Sequence, residues 1–133
     1  MSHSVLIVDD SMMMRELIRD IVESDPQFSV VGEAENGREA LSRAKELKPS
    51  VTLLDIEMPE MSWLEALKRL KLVSDTKVII ISSVAQVGSE QALEARRLGA
   101  VDVIGKPSGA LSLDLEAKKG HEIVAAIRKA TGQ

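Results

Sequence analysis

Several short apolar runs in the sequence are followed by polar residues that together could handle a phosphoryl group. The first polar residues after these runs are Asp9 with Asp10, Asp55, Ser82 and Lys106. Carboxylates that share a crevice repel each other, by up to ~4 kcal/mol for a pair about 4 Å apart at an effective dielectric constant of about 20. A divalent cation removes that penalty, and an all-oxygen donor set suits Mg²⁺. A lysine and a hydroxyl beside the acids would complete a cradle in which a carboxylate accepts phosphate.

Each of these residues also has an ordinary structural interpretation. Asp9 or Asp10 could cap the helix that follows, and Asp55 could be a solvated acid at the end of a strand. Ser82 could be any strand-end hydroxyl, and Lys106 a solvated lysine. These alternatives stay open for each residue alone, but the whole set is much rarer than any one member, so we interpret the set.

The elements that would carry these residues alternate between strand and helix along the chain. The predicted strands are Val5–Val8, Phe28–Ala34, Val51–Leu54, Val78–Ile81 and Ala100–Ile104. Apolar residues at three- and four-residue steps predict a helix after each strand, and residues 107–120 are predicted to be irregular. The pattern is typical of the α/β class: a doubly wound, five-stranded parallel sheet with five helices and the flavodoxin-like order 2-1-3-4-5. The carboxyl ends of parallel strands share one edge, so the polar residues should converge there.

Local signals mark several helix ends. Ser11 and Ser62 precede apolar helical patterns and suit the N-cap position, and Asn36 suits a turn or a cap. Gly99 follows the fourth helical pattern and suits the position just past a helix C-terminus. Leu93 belongs to the apolar stripe of that fourth helix, so we expect it to face the core.

Composition narrows the class of protein. The 133 residues are enough for one domain. A net charge of -4 and 2% aromatic residues argue against a nucleic-acid partner. There are no cysteines, and no apolar run is long enough to insert into a membrane. A cytoplasmic domain is therefore the default expectation.

The motifs together resemble the receiver domain of two-component response regulators, over essentially the whole chain. The matching residues are the pair Asp9-Asp10, the acceptor stretch Leu53–Met61, Ser82 and Lys106-Pro107. The resemblance implies that Asp55 accepts a phosphoryl group from a histidine kinase. It also implies that the Ser82 hydroxyl follows that group and that Lys106 pairs with it.

The same resemblance implies a resident metal ion. Asp10 and Asp55 would bind Mg²⁺ together with the backbone carbonyl of Glu57, and Asp9 would support the metal shell.

A finer resemblance is to the regulatory domain of the chemotaxis protein-glutamate methylesterases. The stretches Ser82–Gly88 and Gly99–Asp114 carry it. It implies a chemotaxis-type histidine kinase and a methylesterase effector as partners. Since no Gly-x-Ser-x-Gly motif occurs, we interpret residues 1–133 as a single receiver domain, with the esterase domain absent from this chain and no enzyme activity of its own. The chain would be either an excised regulatory domain or a stand-alone relative.

Two other functions compete with a phosphorylated switch. One is a receiver-like interaction module that no longer takes phosphate. The other is a phosphatase of the haloacid dehalogenase type, which would need an Asp-x-Asp motif after the first strand, where this chain has Asp9-Asp10.

Two positions depart from the receiver pattern. Ser62-Trp63 stands where the family usually has Asp-Gly. Trp63 would be strained if that backbone requires a positive φ, whereas it would lie harmlessly in the first helical turn if Ser62 caps the helix. We favour a strained ring that contacts a partner at the rim of the crevice. Val103 stands where an aromatic residue usually acts as a rotameric switch, so transmission through it is in doubt.

Overall fold

The computed structural model of the protein describes residues 3–56, 61–82, 90–105 and 113–132. Its strands are β1 (His3–Val8), β2 (Phe28–Ala34), β3 (Val51–Asp55), β4 (Lys77–Ser82) and β5 (Asp102–Gly105). Its helices are α1 (Met12–Glu23), α2 (Gly37–Leu47), α3 (Trp63–Val73), α4 (Glu90–Arg97) and α5 (Leu113–Ala130). Strand and helix alternate through the chain, as the sequence pattern predicts.

The strands form one five-stranded sheet in the order β2-β1-β3-β4-β5, and every neighbouring pair is parallel. This confirms the predicted doubly wound order. Two apolar clusters cover its faces. On one face Val5 and Ile7 pack with residues of α1 and α5, such as Ile18 and Ile127. On the other face Leu6 packs with residues of α2, α3 and α4.

The central strand β3 has no solvent-facing side. All of its residues from Val51 to Asp55 are buried, as expected for a parallel strand with helices on both faces. The edge strand β2 differs, because its register with β1 shifts between Val5 and Leu6. Val31 lies at this irregularity and is exposed.

Helix ends follow the local signals in the sequence. The side chains of Ser11, Asn36 and Ser62 accept hydrogen bonds from the third residue beyond each cap, at 3.2, 2.9 and 3.2 Å. At the end of α4 the Ala100 N–H donates to the carbonyl of Ala95 and the Gly99 N–H to that of Arg96. Gly99 has a φ of +113°, so this is a Schellman ending at the predicted residue.

Two predictions about the second half of the chain are wrong. The stretch 107–120 is not irregular throughout, because α5 begins at Leu113. Leu93 does not face the core but is 60% exposed, whereas Ala92 and Ala95 of the same helix are buried. The short helix α4, of eight residues, therefore packs on the sheet through its alanines and not through Leu93. None of the helices in the described ranges is long and apolar enough to cross a membrane.

Trp63 is a buried core residue, so the favoured interpretation of this position is wrong. Its side chain is 8% exposed and belongs to the cluster that contains Leu54 and Leu67. Among the described residues other than glycine, positive φ occurs only at Lys48. Because Ser62 caps α3, Trp63 takes the first helical position without strain. The alternative of an unstrained ring in the first turn is confirmed.

Candidate functional site

The acids predicted to converge do so at the carboxyl edge of the sheet. β1 and β3 are hydrogen-bonded neighbours, and their residues Val8 and Leu54 are paired. The chain therefore reaches Asp9 and Asp55 at adjacent points of that edge. One carboxylate oxygen each from Asp9, Asp10 and Asp55 lies within 4.8 Å of the others.

The three acids differ in exposure. Asp55 is 0% exposed and Asp9 is 1% exposed, whereas Asp10 is exposed. The alternative that Asp55 is a solvated strand-end acid is therefore wrong. Within this cluster, Asp10 is the acid that solvent reaches.

Asp9 is held by three hydrogen bonds, two through its backbone and one through its carboxylate. Its N–H donates to the carbonyl of Ala34 on β2 at 3.0 Å. Its carboxylate Oδ1 accepts from the N–H of Ser11 at 2.9 Å, an Asx turn that leads into α1. Its carbonyl accepts from Nη1 of Arg15 at 2.7 Å. Ser11, not either acid, is the N-cap of α1, so Asp9 shapes the loop before the helix.

Arg15 belongs to an ionic group that the sequence analysis did not identify. Its Nε donates to Oε1 of Glu33 at 2.9 Å, and Arg19 donates to Oε2 of the same carboxylate. Burial raises the pKa of Glu33. The hydrogen bonds from Arg19 and Arg15 and the charges of these arginines together outweigh that effect, so the pKa of Glu33 lies below its usual value. Arg15 and Arg19 are four residues apart and so share one face of α1, which is a weak sign of a common acidic partner. Nothing near them in the sequence indicates that the partner is Glu33 on β2.

The remaining predicted site residues are only partly covered by the structure. Ser82 is the last residue of β4, and its backbone pairs with Gly105, the last residue of β5. That pairing puts the two strand ends side by side, at the edge that β3 reaches with Asp55 opposite Ile81. Lys106 and Glu57 lie outside the described residues.

The chemistry of the donor set fits Mg²⁺. The cluster offers only carboxylate oxygens, which are hard ligands of the kind that Mg²⁺ takes. Two ionised carboxylates about 5 Å apart repel by roughly 3 kcal/mol at an effective dielectric constant of about 20, and by less where one of them is exposed. A bound divalent cation would offset this repulsion.

Comparisons with known proteins agree with this geometry. A family model for the response regulator receiver domain matches residues 5–118. A protein-glutamate methylesterase/protein-glutamine glutaminase of Halalkalibacterium halodurans is 54% identical over 112 residues, which are 84% of this chain and 32% of that protein. One from Thermotoga maritima is 45% identical over 126 residues, 95% of this chain and 36% of that protein. The chain thus spans about a third of the length of these relatives.

Solved structures give the same result. The response regulator domain of Thermotoga maritima CheB superposes with a TM-score of 0.89 at 43% identity, covering 100% of this chain and 98% of that one. A chain in the complex of the P1 domain of CheA3 with CheY6 from R. sphaeroides gives 0.81 at 40% identity, covering 98% of both chains. The chain belongs to the response regulator receiver domain family.

Proposed function

We propose that this domain is a phosphorylation-dependent signalling switch in which Asp55 accepts a phosphoryl group from a histidine kinase. The observation that carries the proposal is the cluster of Asp9, Asp10 and Asp55 at the carboxyl edge of the sheet, with Asp55 at the end of the central strand. We take residues 1–133 to form one receiver domain whose effector domain is not among them.

The proposed reaction is a transfer between two nucleophiles. A carboxylate oxygen of Asp55 attacks the phosphorus atom of the kinase phosphohistidine, so that a P–O bond forms and the P–N bond breaks. The electron pair of the broken bond stays on the imidazole nitrogen. Because phosphoryl transfer leaves little other covalent chemistry for the protein to do, the protein contributes mainly by positioning the reacting groups and by stabilising the charge on the phosphoryl oxygens.

Site residues divide these tasks. Asp10, Asp55 and the backbone carbonyl of Glu57 would hold Mg²⁺, and Asp9 would support its shell. When bound, Mg²⁺ supplies positive charge for the phosphoryl oxygens. Lys106 would pair with the phosphoryl group, and the hydroxyl of Ser82 would follow it when the switch changes state.

Relatives suggest the partners. The two relatives described above are named as methylesterases, and a similar solved chain occurs in a complex with a P1 domain of CheA3. We therefore propose a chemotaxis-type histidine kinase as phosphodonor and a methylesterase domain as effector. Position 103 is a buried valine. Since valine has no aromatic ring, transmission to the effector would not use an aromatic rotamer at that position.

Intact-mass measurement tests the acceptor directly. With acetyl phosphate and Mg²⁺, the wild type should gain the mass of one phosphate, while Asp55→Asn should gain none. Asp20→Asn, the same chemical change at an exposed position on α1, is the matched control and should be labelled like the wild type. Equal labelling of Asp55→Asn would remove Asp55 as the acceptor. No labelling of the wild type would favour the interaction module that no longer takes phosphate.

A further inference from the structure

Arg15 donates a hydrogen bond to the backbone of the acid cluster. The carbonyl that accepts from its Nη1 at 2.7 Å is the oxygen of the peptide that joins Asp9 to Asp10. Because a peptide unit is planar, fixing that oxygen also fixes the direction in which the chain enters Asp10. On the far side of Asp10, the N–H of Ser11 is held by Oδ1 of Asp9. The exposed acid is thus placed between two anchored backbone groups.

The orientation of Arg15 is itself fixed. Its Nε donates to Glu33 on β2 at 2.9 Å, while a different nitrogen of the same guanidinium reaches the Asp9 carbonyl. Glu33 is in turn held by Nε and Nη2 of Arg19 at 3.0 and 2.5 Å. The Arg15 side chain is only 14% exposed, so its own two bonds are partly shielded from water. A planar guanidinium that bonds two groups at once has little freedom to turn.

We propose that Arg15, held by Glu33, is a positioning residue for the Mg²⁺ site. It would keep Asp10 beside Asp9 and Asp55 by anchoring the peptide that precedes it. This role rests on the proposed function, since it assumes that the cluster binds Mg²⁺.

Charge and position make opposite predictions for this residue. Arg15 is a cation next to a proposed cation site, so by Coulomb's law alone its removal should tighten Mg²⁺ binding. If Arg15 positions Asp10, its removal should weaken binding, because groups that orient metal ligands are typically worth tenfold or more in affinity. The sign of the change therefore separates the two effects.

The experiment is calorimetric titration of the unphosphorylated protein with Mg²⁺. Arg15→Met should bind Mg²⁺ about tenfold more weakly than the wild type. Arg19→Met is the matched control, because Arg19 carries the same charge and bonds the same Glu33, one helical turn farther along α1. It should bind Mg²⁺ within about twofold of the wild type, and urea unfolding in EDTA should show that both variants are folded.

Arg15→Lys is the second variant, for the case in which the methionine variant does not fold. It keeps the charge but offers one nitrogen in place of the two that reach Glu33 and Asp9, so we expect weaker Mg²⁺ binding here too. Unchanged or tighter binding by a folded Arg15→Met, or wild-type affinity in Arg15→Lys, would overturn the positioning role alone. A wild type without measurable Mg²⁺ affinity would instead overturn the metal site in the proposed function, and the positioning role with it.

Discussion

Among the described residues, the two edges of the sheet bury aspartates beside different charged groups. At the amino edge, Asp25 lies just before β2 and is 6% exposed. Its Oδ1 accepts from the N–H of Gln27 at 2.9 Å, and its Oδ2 accepts from Nε and Nη2 of Arg128 at 2.9 and 2.5 Å. At the carboxyl edge, Asp9 and Asp55 are buried within reach of each other and of a third acid, Asp10.

The difference separates a structural acid from the acids for which we propose a function. The hydrogen bond from Gln27, with the hydrogen bonds and charge of Arg128, lowers the pKa of Asp25 against a smaller opposing effect of burial. Its anion is therefore stabilised by folding, and it ties the start of β2 to α5, a helix about a hundred positions later in the chain. At the other edge, folding brings like charges together, an arrangement that a cation and a phosphoryl group can exploit.

The largest effect we expect comes from packing next to the acid cluster. Trp63 packs in the same apolar cluster as Val8 and Leu54, the residues that precede Asp9 and Asp55. Trp63→Gly should lower the free energy of unfolding by roughly 3 kcal/mol or more, because it removes a buried aromatic ring. Urea unfolding should show this loss equally in EDTA and in Mg²⁺. A variant as stable as the wild type would contradict the buried placement of the ring.

A pH series should reveal the structural acid. Because the folded-state pKa of Asp25 lies below its ordinary value of 3.8, its ionised form stabilises the fold above that pH, and the contribution is lost as the pH falls through the folded pKa. Asp25→Asn should therefore be less stable than the wild type at pH 7, and the gap should narrow below pH 3.8. Asp75→Asn, at an exposed position, is the control. A gap that does not depend on pH would mean that the charge of Asp25 is not what stabilises the fold.

The smallest expected change in stability is at Lys48, which belongs neither to the acid cluster nor to the ion pair of Asp25. Lys48 follows the last residue of α2 and has a φ of +48°, a conformation that suits glycine better than lysine. Lys48→Gly should raise the free energy of unfolding by about 0.5–1 kcal/mol, in EDTA and in Mg²⁺ alike. Lys45→Gly, within the same helix, should lower it by about 1 kcal/mol. Two changes of the same sign in urea unfolding would show that backbone conformation at Lys48 is not the cause.

Sequence patterns predicted those features whose cause is local or repetitive. The caps Ser11 and Ser62 and the helix ending at Gly99 depend on hydrogen bonds within a few residues, so the residue types alone indicate them. Alternation of buried strands and helices predicted the sheet order. Because parallel strands end at one edge, it also predicted that Asp9 and Asp55 would meet.

Features that depend on distant parts of the chain were missed. Trp63 looked like an exposed ring because much of the apolar cluster that buries it comes from other elements, among them β3 with Leu54 and β2 with Ala34. Nothing near Arg15 in the sequence shows that Glu33 orients it, since the partner is 18 positions away on another strand. The beginning of α5 at Leu113 had no recognisable apolar period to mark it.

Urea unfolding of the wild type and Asp10→Asn, in EDTA and in Mg²⁺, tests most directly whether the acid cluster is a cation site. In EDTA the variant should be the more stable by roughly 1 kcal/mol, because one of three like charges is removed. At about a hundred dissociation constants of Mg²⁺ the wild type should gain ~2.7 kcal/mol and the variant much less, so that the order reverses. Asp25→Asn should gain as much as the wild type. Equal gains in the wild type and Asp10→Asn would contradict the account.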